Sequence, residues 1–553
     1  MRRRKSHNEN ILNYLLAKGR RTPFSINASY LILYAFLYKY MSDRLKNHLL
    51  HEFSGGDDDL KLFYFTIADE LKDVALNDLG YFFESYDAYI DQFAADKFVD
   101  DFFDPIFLMR LKENITFSRD NPFEEYFNTI IETVERQTKF YQMNYDEGEE
   151  LLISNFLSSI SKLDISEKEF PFQKVYEVIS SSRQIRISST PNYITQVLEG
   201  IITSAESDVA SIYDPFLRDA TNLMNVSKQF PASKVYAKEE DERYYFYSLI
   251  RAFINGCDFT NIFFKRENAI ESMAFDEELF DVVVSKIPNN FRHASVSYRN
   301  QNLEAPNPNK VDIKEQLISQ FDLSSLDGDE ELLNALSVFE KKVEAVEKSN
   351  IINFKGEYES LIDNEFLFLI NMINCLKEDG TMAVSISQNF LFKNSLKTLR
   401  KFLTYENNYI DTVISLPEVG RIIRPEVIIV FRKNRNRGDV LFIDVSRDYG
   451  AIPARIRVPG ALRNNLIFDD KTVNRIIDVF INRKSVDRFS EVISISDLEK
   501  NEFSLAVSRY VDTYEGEFVH LEDLESRKRD IDSKMDELSE KISFMMDDLN
   551  FKM

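Results

Sequence analysis

The sequence predicts an α/β protein, a parallel sheet covered by helices, with helical segments at both ends of the chain. Three observations lead there. Between Ser211 and Phe291 apolar strands alternate with helical stretches. Ser211 runs into Tyr213-Asp214-Pro215, Lys234-Val235-Tyr236 leads to Glu239-Glu240, and Phe280 to Val284 leads to Ser285-Lys286-Ile287-Pro288-Asn289. That alternation is the signature of parallel strands joined by covering helices. Upstream, residues 1–170 carry helical periodicity, and the chain closes on a seven-residue apolar repeat. Ligands of open parallel sheets sit at the carboxyl ends of the strands. Asp214, Glu239 and Lys286 all fall at such ends, so a site is expected there.

The totals bound the function classes. At 553 residues the chain has room for roughly two to four domains. Hydrophobic residues at 44% and charged residues at 29% match an ordinary globular protein. A net charge of −24 argues against coating nucleic acid by charge alone and leaves room only for a local basic patch or a basic partner. Cys257 and Cys375 make no disulfide framework, which fits a reducing compartment. Met1-Arg2-Arg3-Arg4-Lys5 is not followed by an apolar run of signal length, and no long uncharged apolar stretch appears. A cytoplasmic protein without a membrane span is expected. The five histidines form no metal-ligand cluster, so no metal site is expected, and no Walker loop is present.

In chain order, Asn10 to Leu16 starts a helix, and Tyr30 to Ser42, apolar almost all round, predicts a helix buried in a bundle. Ile130 to Phe140 and Leu151 to Leu163 are amphipathic. Residues 1–170 form the expected helical domain, with packing or assembly as their role, and 171–460 the α/β domain. A long excursion at about 292–355 interrupts the sheet pattern, with a loop at Ala305-Pro306-Asn307-Pro308-Asn309 and an acidic helix from Asp327. Phe366 to Leu376 predicts a helix, stopped at Lys377-Glu378-Asp379-Gly380 with Gly380 as left-handed cap. Thr381 to Ile386, Ile410 to Leu416, Pro425 to Phe431 and Val440 to Asp444 predict strands, and Leu396 to Leu403 a helix. Residues 461–518 form a carboxyl-terminal extension. In 519–553, Leu524, Ile531, Leu538 and Met545 recur every seven residues, interleaved by Met535, Ile542 and Leu549 and interrupted at Lys528. That is a coiled-coil seam of about three heptads, short enough to need a partner, with a terminal helix packed on its own chain as the alternative to docking on another.

Several of these stretches resemble the modification subunit of type I restriction-modification systems, a DNA adenine-N6 methyltransferase. The likeness is carried by Glu365 to Gly380, Gln388-Asn389-Phe390-Leu391-Phe392, Ile414-Ser415-Leu416-Pro417, Phe431-Arg432-Lys433-Asn434, Leu441 to Ser446, and Ser508-Arg509-Tyr510-Val511 before the heptad tail. The resemblance implies a Rossmann-like S-adenosylmethionine-dependent methyltransferase sheet, an amino-terminal helical domain, and a tail that contacts a specificity subunit. It also implies two modification subunits per specificity subunit and a motor-nuclease subunit in the full complex.

The same resemblance implies where the chemistry should lie, and there this chain departs from the pattern. After the first strand the family has Asp-Pro, two variable residues, then Gly-Ser-Gly, small enough for close approach to the cofactor. Here Asp214-Pro215 persists, but Arg218-Asp219-Ala220 replaces the glycines and would project side chains into the space. Glu239 stands where the family's acid holds the ribose hydroxyls, although an acid after a strand also suits a helix start. Thr190-Pro191 stands where the family has an aromatic-Thr-Pro element bordering the cofactor, with Ser189 in place of the aromatic. In the family's Asn-Pro-Pro-Phe loop, Asn and a proline carbonyl accept from the target amine and Phe stacks on the flipped base. The corresponding residues here are Lys286, Ile287, Pro288 and Asn289. Lys286 has donors only. A vestigial cofactor set (Thr190, Pro191, Asp214, Pro215, Glu239) and no intact catalytic set are therefore expected.

The best local basic region is Arg421, Arg424, Arg432, Lys433, Arg435 and Arg437, either a solvated charge run or a DNA phosphate contact. The expectation is a catalytically inactive, type I-like methyltransferase subunit. It would serve as an assembly component of a restriction or phage-defence complex, reaching DNA through a specificity-type partner. The alternative is an active adenine-N6 methyltransferase with an altered site.

Overall fold

The computed structural model describes residues 7–21, 26–56, 59–88, 114–119, 122–143, 155–165, 190–255, 259–269, 275, 279–287, 369, 372–417, 426–446, 468–513 and 521–548. The excursion expected at 292–355 lies outside the described residues, as do Cys257 and the basic start.

The amino-terminal part is built from helices α1 (His7–Arg21), α2 (Ile26–Glu52), α3 (Asp59–Thr66), α4 (Ala68–Asp78) and α5 (Phe123–Met143). Tyr30 to Tyr38 of α2 are buried on every side, as an all-round apolar helix requires. The region is not wholly helical. Strands β1 (Tyr81–Phe83) and β2 (Ile115–Phe117) pair antiparallel, Phe82 opposite Thr116. Tyr81-Phe82-Phe83 is too short to announce itself by alternation, so the sequence reading missed it.

The rest is organised on a nine-stranded sheet. Its strands are β3 (Ser211–Asp214), β4 (Lys234–Lys238), β5 (Ile262–Lys265), β6 (Phe280–Lys286), β7 (Leu376–Ser387), β8 (Ile410–Ser415), β9 (Glu426–Arg432), β10 (Asp439–Asp444) and β11 (Ser490–Ser494). Their order is β11-β10-β8-β9-β7-β6-β3-β4-β5. The sheet is mixed, which corrects the all-parallel expectation: β9 runs antiparallel to β7 and β8, and β11 antiparallel to β10. A run such as Ile428 to Phe431, apolar at every position, tells that both faces are buried but not which way the strand points. Strands β5 and β11 were not read from the sequence. Side chains alternate between two cores, Ile212 and Val282 on one face, Tyr213 and Val283 on the other. Helices α6 (Asn192–Ala205), α7 (Thr221–Gln229), α8 (Glu242–Ile254), α9 (Lys397–Lys401), α10 (Asp470–Asn482), α11 (Ile495–Lys500) and α12 (Leu521–Asp548) also lie among the described residues.

The amino-terminal helices join this sheet through α8, which is buried from Tyr244 to Ile254. Tyr30 packs edge-on to Phe246 at 4.8 Å, Phe123 lies 4.1 Å from Phe253, and the Ser29 and Tyr247 hydroxyls are 2.9 Å apart. The Tyr126 hydroxyl of α5 accepts from Phe264 N and donates to Ile262 O, at 3.0 and 3.1 Å. It thereby satisfies backbone groups on the open side of the edge strand β5, which would otherwise be a site for stray pairing.

Lys377 to Gly380 do not end a helix. Helical residues stop at Asn374, and β7 starts at Leu376. Register passes from Phe280 opposite Leu376 to Val282 opposite Thr381, so Lys377 to Gly380 bulge opposite Asp281. Gly380 is not left-handed; the demand on it is close approach. A Cβ there would stand 2.7 Å from the Asp281 carbonyl oxygen. Gly380→Ala is expected to lower unfolding free energy in urea by about 1–3 kcal/mol, as overpacking against fixed backbone does. A neutral result would contradict the close approach.

A candidate cofactor site at the carboxyl edge of the sheet

At β3 and β6 the chain order reverses direction across the sheet, and a crevice is expected at such a switch point. Asp214 ends β3 there, fully buried. Its Oδ1 accepts from Phe216 N at 2.9 Å and from the Ser285 hydroxyl of β6 at 2.8 Å. Burial pushes its carboxyl up to about 7, with the two hydrogen bonds opposing. Glu239 follows β4. Its Oε2 accepts from Arg218 N at 2.8 Å and its Oε1 from Asp241 N at 3.0 Å. Burial pushes it up to about 7 as well, against the attraction of Arg218.

The loop between them keeps an unusual path. Arg218 and Ala220 have φ of 51° and 57°, the left-handed region, at the two positions where the resemblance implies glycine. Each non-glycine residue there costs about 1–2 kcal/mol, so the surroundings must hold it. They do so in three ways. The Arg218 guanidinium lies over the Tyr244 ring at 3.9 Å and donates to its hydroxyl at 3.0 Å. Asp219 is buried rather than projecting outward, and the Arg251 guanidinium donates to its backbone oxygen at 3.0 Å and to its carboxylate at 3.2 Å. Arg251 also donates to the Thr221 hydroxyl at 2.6 Å, which in turn donates to Asp219 at 2.8 Å.

The other strand ends are closed in the same manner. Lys238, the buried last residue of β4, pairs with Glu267 beyond β5 at 3.1 Å; its burial lowers its pKa against that attraction. Lys286, the last residue of β6, pairs with Glu426 at the start of β9 at 3.2 Å, both shielded from solvent. Because β9 is antiparallel, its first residue lies at the carboxyl end of β7, which brings Glu426 to this edge. Ile287 N continues the ladder to Ser385 O at 2.9 Å. Pro288 and Asn289 lie outside the described residues. Thr190 is buried, its hydroxyl accepting from Asn222 at 3.3 Å, and Pro191 caps α6.

Structure thus gathers Asp214, Pro215, Glu239, Lys286 and Ile287 along one edge. Sequence reasoning missed Ser285, Glu426, Glu267 and Arg251. A lone charge inside an apolar run was the available signal for two of them: Arg251 within Leu249-Ile250-Arg251-Ala252-Phe253, and Glu426 before Val427-Ile428-Ile429. A buried charge needs a partner.

The basic region lies at the opposite end of the sheet. Arg432 stands opposite Thr381 and Glu426 opposite Ser387, about 20 Å apart along the strand. Arg435 is turned inward, its guanidinium on Asp411 at 3.1 Å within a cluster that includes Arg483 and Asp439. Arg432 donates to the Thr381 hydroxyl at 3.2 Å, and Lys433 to Leu376 O at 2.6 Å. Arg437 is exposed. Arg421 and Arg424 lie outside the described residues. A cleft lined by Arg119, Glu124, Glu125 and Glu132 opens at the start of α5, not at the carboxyl edge.

Comparison with known proteins matches residues 341–517 to the N-6 DNA methylase family model. The methylase subunit of the type I restriction enzyme MpnII of Mycoplasma pneumoniae is 25% identical over 190 residues, 34% of this chain and 33% of that protein. That of MjaVII from Methanocaldococcus jannaschii is 29% identical over 153 residues, 27% of this chain and 24% of that protein. The chain therefore matches about a third or less of these relatives' length. A type I restriction-modification methyltransferase subunit from Streptococcus thermophilus superposes with a TM-score of 0.65 at 18% identity, covering 92% of this chain and 100% of that one. A modification subunit of a putative type I restriction enzyme from Vibrio vulnificus gives 0.54 at 12% identity, covering 94% and 100%. At those identities the structural likeness is one of fold.

The chain is similar to type I modification subunits, in sequence over part of its length and in fold over most of it. The family match begins after Lys286, so the part of the chain that bears Asp214, Glu239 and Lys286 lies outside it. No group of three or more His, Cys, Asp or Glu among the described residues is placed to hold a metal ion, and no described helix is long and apolar enough to cross a membrane.

Two outcomes follow. A carboxyl group raised on folding contributes stability that is complete below its unfolded pKa and is lost as pH rises through the folded one. Asp214, raised from 3.8 to about 7, therefore favours folding less at pH 8 than at pH 5. Asp214→Asn keeps an acceptor for Phe216 and Ser285 but cannot ionise. Relative to wild type it should gain about 2 kcal/mol in urea unfolding between pH 5 and pH 8; a pH-independent difference would contradict this. Arg251→Leu leaves Asp219 buried and unpaired, and should cost about 3–5 kcal/mol while raising protease cleavage at 216–220. A loss confined to the sub-kcal range would contradict the role given to the pair.

Proposed function

We propose that this relative of type I modification subunits no longer transfers methyl groups and acts as an assembly component of a restriction or phage-defence complex. One observation carries this: the polar groups at the carboxyl edge bond to one another. Both Glu239 oxygens hold backbone amides of this chain, where a ribose would need them. Lys286 is bound to Glu426, and a lysine cannot accept from an adenine amine. The residues present do not fit S-adenosylmethionine as the family holds it. When bound, that cofactor supplies an electrophilic methyl group on a cationic sulfur.

The division into a helical domain (1–170), a methyltransferase-like domain (171–460), an extension (461–518) and a docking helix (519–553) belongs to the same proposal. So do a cytoplasmic setting, a specificity-type partner reached by the tail, and DNA reached through the complex, with a second copy and a motor-nuclease subunit in the full assembly. A direct phosphate contact rests on Arg437, with Arg421 and Arg424, since Arg432, Lys433 and Arg435 have internal partners.

A second reading is favoured by the loop itself. Asp214-Pro215 and two left-handed positions preserve the path of a cofactor loop without its glycines, as an active methyltransferase with an altered site would. Calorimetric titration with S-adenosylmethionine, and methyl transfer from labelled cofactor to DNA in the presence of the neighbouring subunits, separate the two. The proposal expects no micromolar binding and no label above background. Transfer to adenine that is lost in Asp214→Ala would establish the second reading.

A further inference from the structure

Acids crowd the loop between β3 and α7 and the turn that leads into α8, and nearly all of them have a partner. Asp219 pairs with Arg251 at 3.2 Å and Asp241 with Arg243 at 2.6 Å. Glu239 feels the Arg218 guanidinium, and Glu240 accepts from Asn268 at 3.0 Å. Asp214 differs. It is 1% exposed, and among the described residues no cation pairs with it. Its donors are neutral, the Phe216 amide and the Ser285 hydroxyl. The charged groups that face it are Glu239 from behind β4 and Asp219 from the loop, and both disfavour a negative charge on it. The Tyr213 phenol of its own strand brings no cation. Lysines do stand at the neighbouring strand ends, but Lys238 is taken by Glu267 and Lys286 by Glu426. A carboxylate buried without a cation is costly, so the stable partner of Asp214 is a proton.

That acid is tied to a strained loop. Asp214 holds the Phe216 amide and Glu239 the Arg218 amide, while Arg218 and Ala220 keep left-handed backbone. Opening the loop would relieve both residues and let water reach both acids. Closed, the two carboxyls are raised to about 7; open and hydrated, they return to the ordinary carboxyl range. The closed loop therefore keeps protons that the open loop gives up. Closure is most favoured below the ordinary carboxyl range, weakens as pH rises towards 7, and levels off above it.

Resting on the reading that the chain closes its own carboxyl edge, we propose that residues 216–220 form a proton-operated latch, shut while Asp214 and Glu239 carry their protons and released as they ionise. The proton is then the ligand that governs access to this edge. Linkage works in both directions. Acid shuts the edge against an occupant, and an occupant that holds the loop open expels protons.

The test follows amide hydrogen exchange of the full chain by mass spectrometry at pH 5, 6, 7 and 8, without cofactor or DNA. Rates for a peptide spanning 216–220 and for one spanning 410–415 in β8 are divided by the intrinsic rates at each pH, which leaves the opening equilibrium. Opening of 216–220 should rise at least tenfold from pH 5 to pH 7 and change little from pH 7 to pH 8. It should also exceed opening of 410–415 at every pH. The double variant Asp214→Asn, Glu239→Gln keeps an acceptor for each amide, and in it the rise should vanish; Asp214→Asn alone should lessen it. A flat profile in the wild type, or a rise that both variants retain, would overturn the latch. So would equal opening of the two peptides throughout, which would assign the protons to global unfolding. No methyl donor is present, so a failed latch leaves the silent-site reading standing, and methyl transfer would sink that reading without touching these ratios.

Discussion

The fold of the candidate site depends on one buried ion pair, Arg251 with Asp219. Its arginine comes from α8, which stays dry because α2 and α5 cover it. In that environment an unpartnered charge would be costly, so Arg251 binds the Asp219 backbone, its carboxylate and the Thr221 hydroxyl together. Holding Asp219 fixes the residues on either side, and these are the two in left-handed conformation. The turn at Arg218 then aims its amide at Glu239. Thus packing in the amino-terminal helices is linked to the state of an acid at the sheet edge. The helical part is therefore more than an appendage; it sets the dryness that makes the loop stable without glycine.

On the proposed reading, this linkage is how a methyltransferase-like frame would outlast its site. A sheet is specified by many interchangeable apolar contacts on two faces, and no single one is decisive. A cofactor site is specified by a few atoms that must be left unsatisfied within the chain so that a ligand can satisfy them. Each partner supplied from inside, Ser285, Arg218 N, Glu267 or Glu426, removes one reason for the ligand to bind and adds stability to the free chain. Fold and site can therefore diverge, which agrees with a family match confined to residues after Lys286.

Most of the sheet was legible in the sequence because apolar runs bounded by turn residues are a local signal. Ser211 to Asp214, Phe280 to Lys286 and Ile410 to Ser415 are of this kind. What was not legible depends on pairing. Strand direction cannot be read from Ile428-Ile429-Val430, and it is the antiparallel course of β9 that delivers Glu426 to Lys286. Gly380 looked like a helix cap because a Lys-Glu-Asp-Gly stop has that composition; its real constraint is the neighbouring strand's backbone. At the site, the altered positions were visible from resemblance alone. Their internal partners lie 21 to 140 residues away and required the fold. Arg435 reads as part of a basic surface run, yet Asp411 and Asp439 draw it inward.

The central claim is that the carboxyl edge is closed by the chain itself. Hydrogen exchange at the amides of Phe216 and Arg218, with and without saturating S-adenosylmethionine, tests it most directly. Asp214 and Glu239 already accept from these two amides. The account predicts slow exchange in the free chain and the same rates with the cofactor present. Fast exchange that slows when the cofactor is added would contradict it, because the loop would then be open and waiting for its ligand.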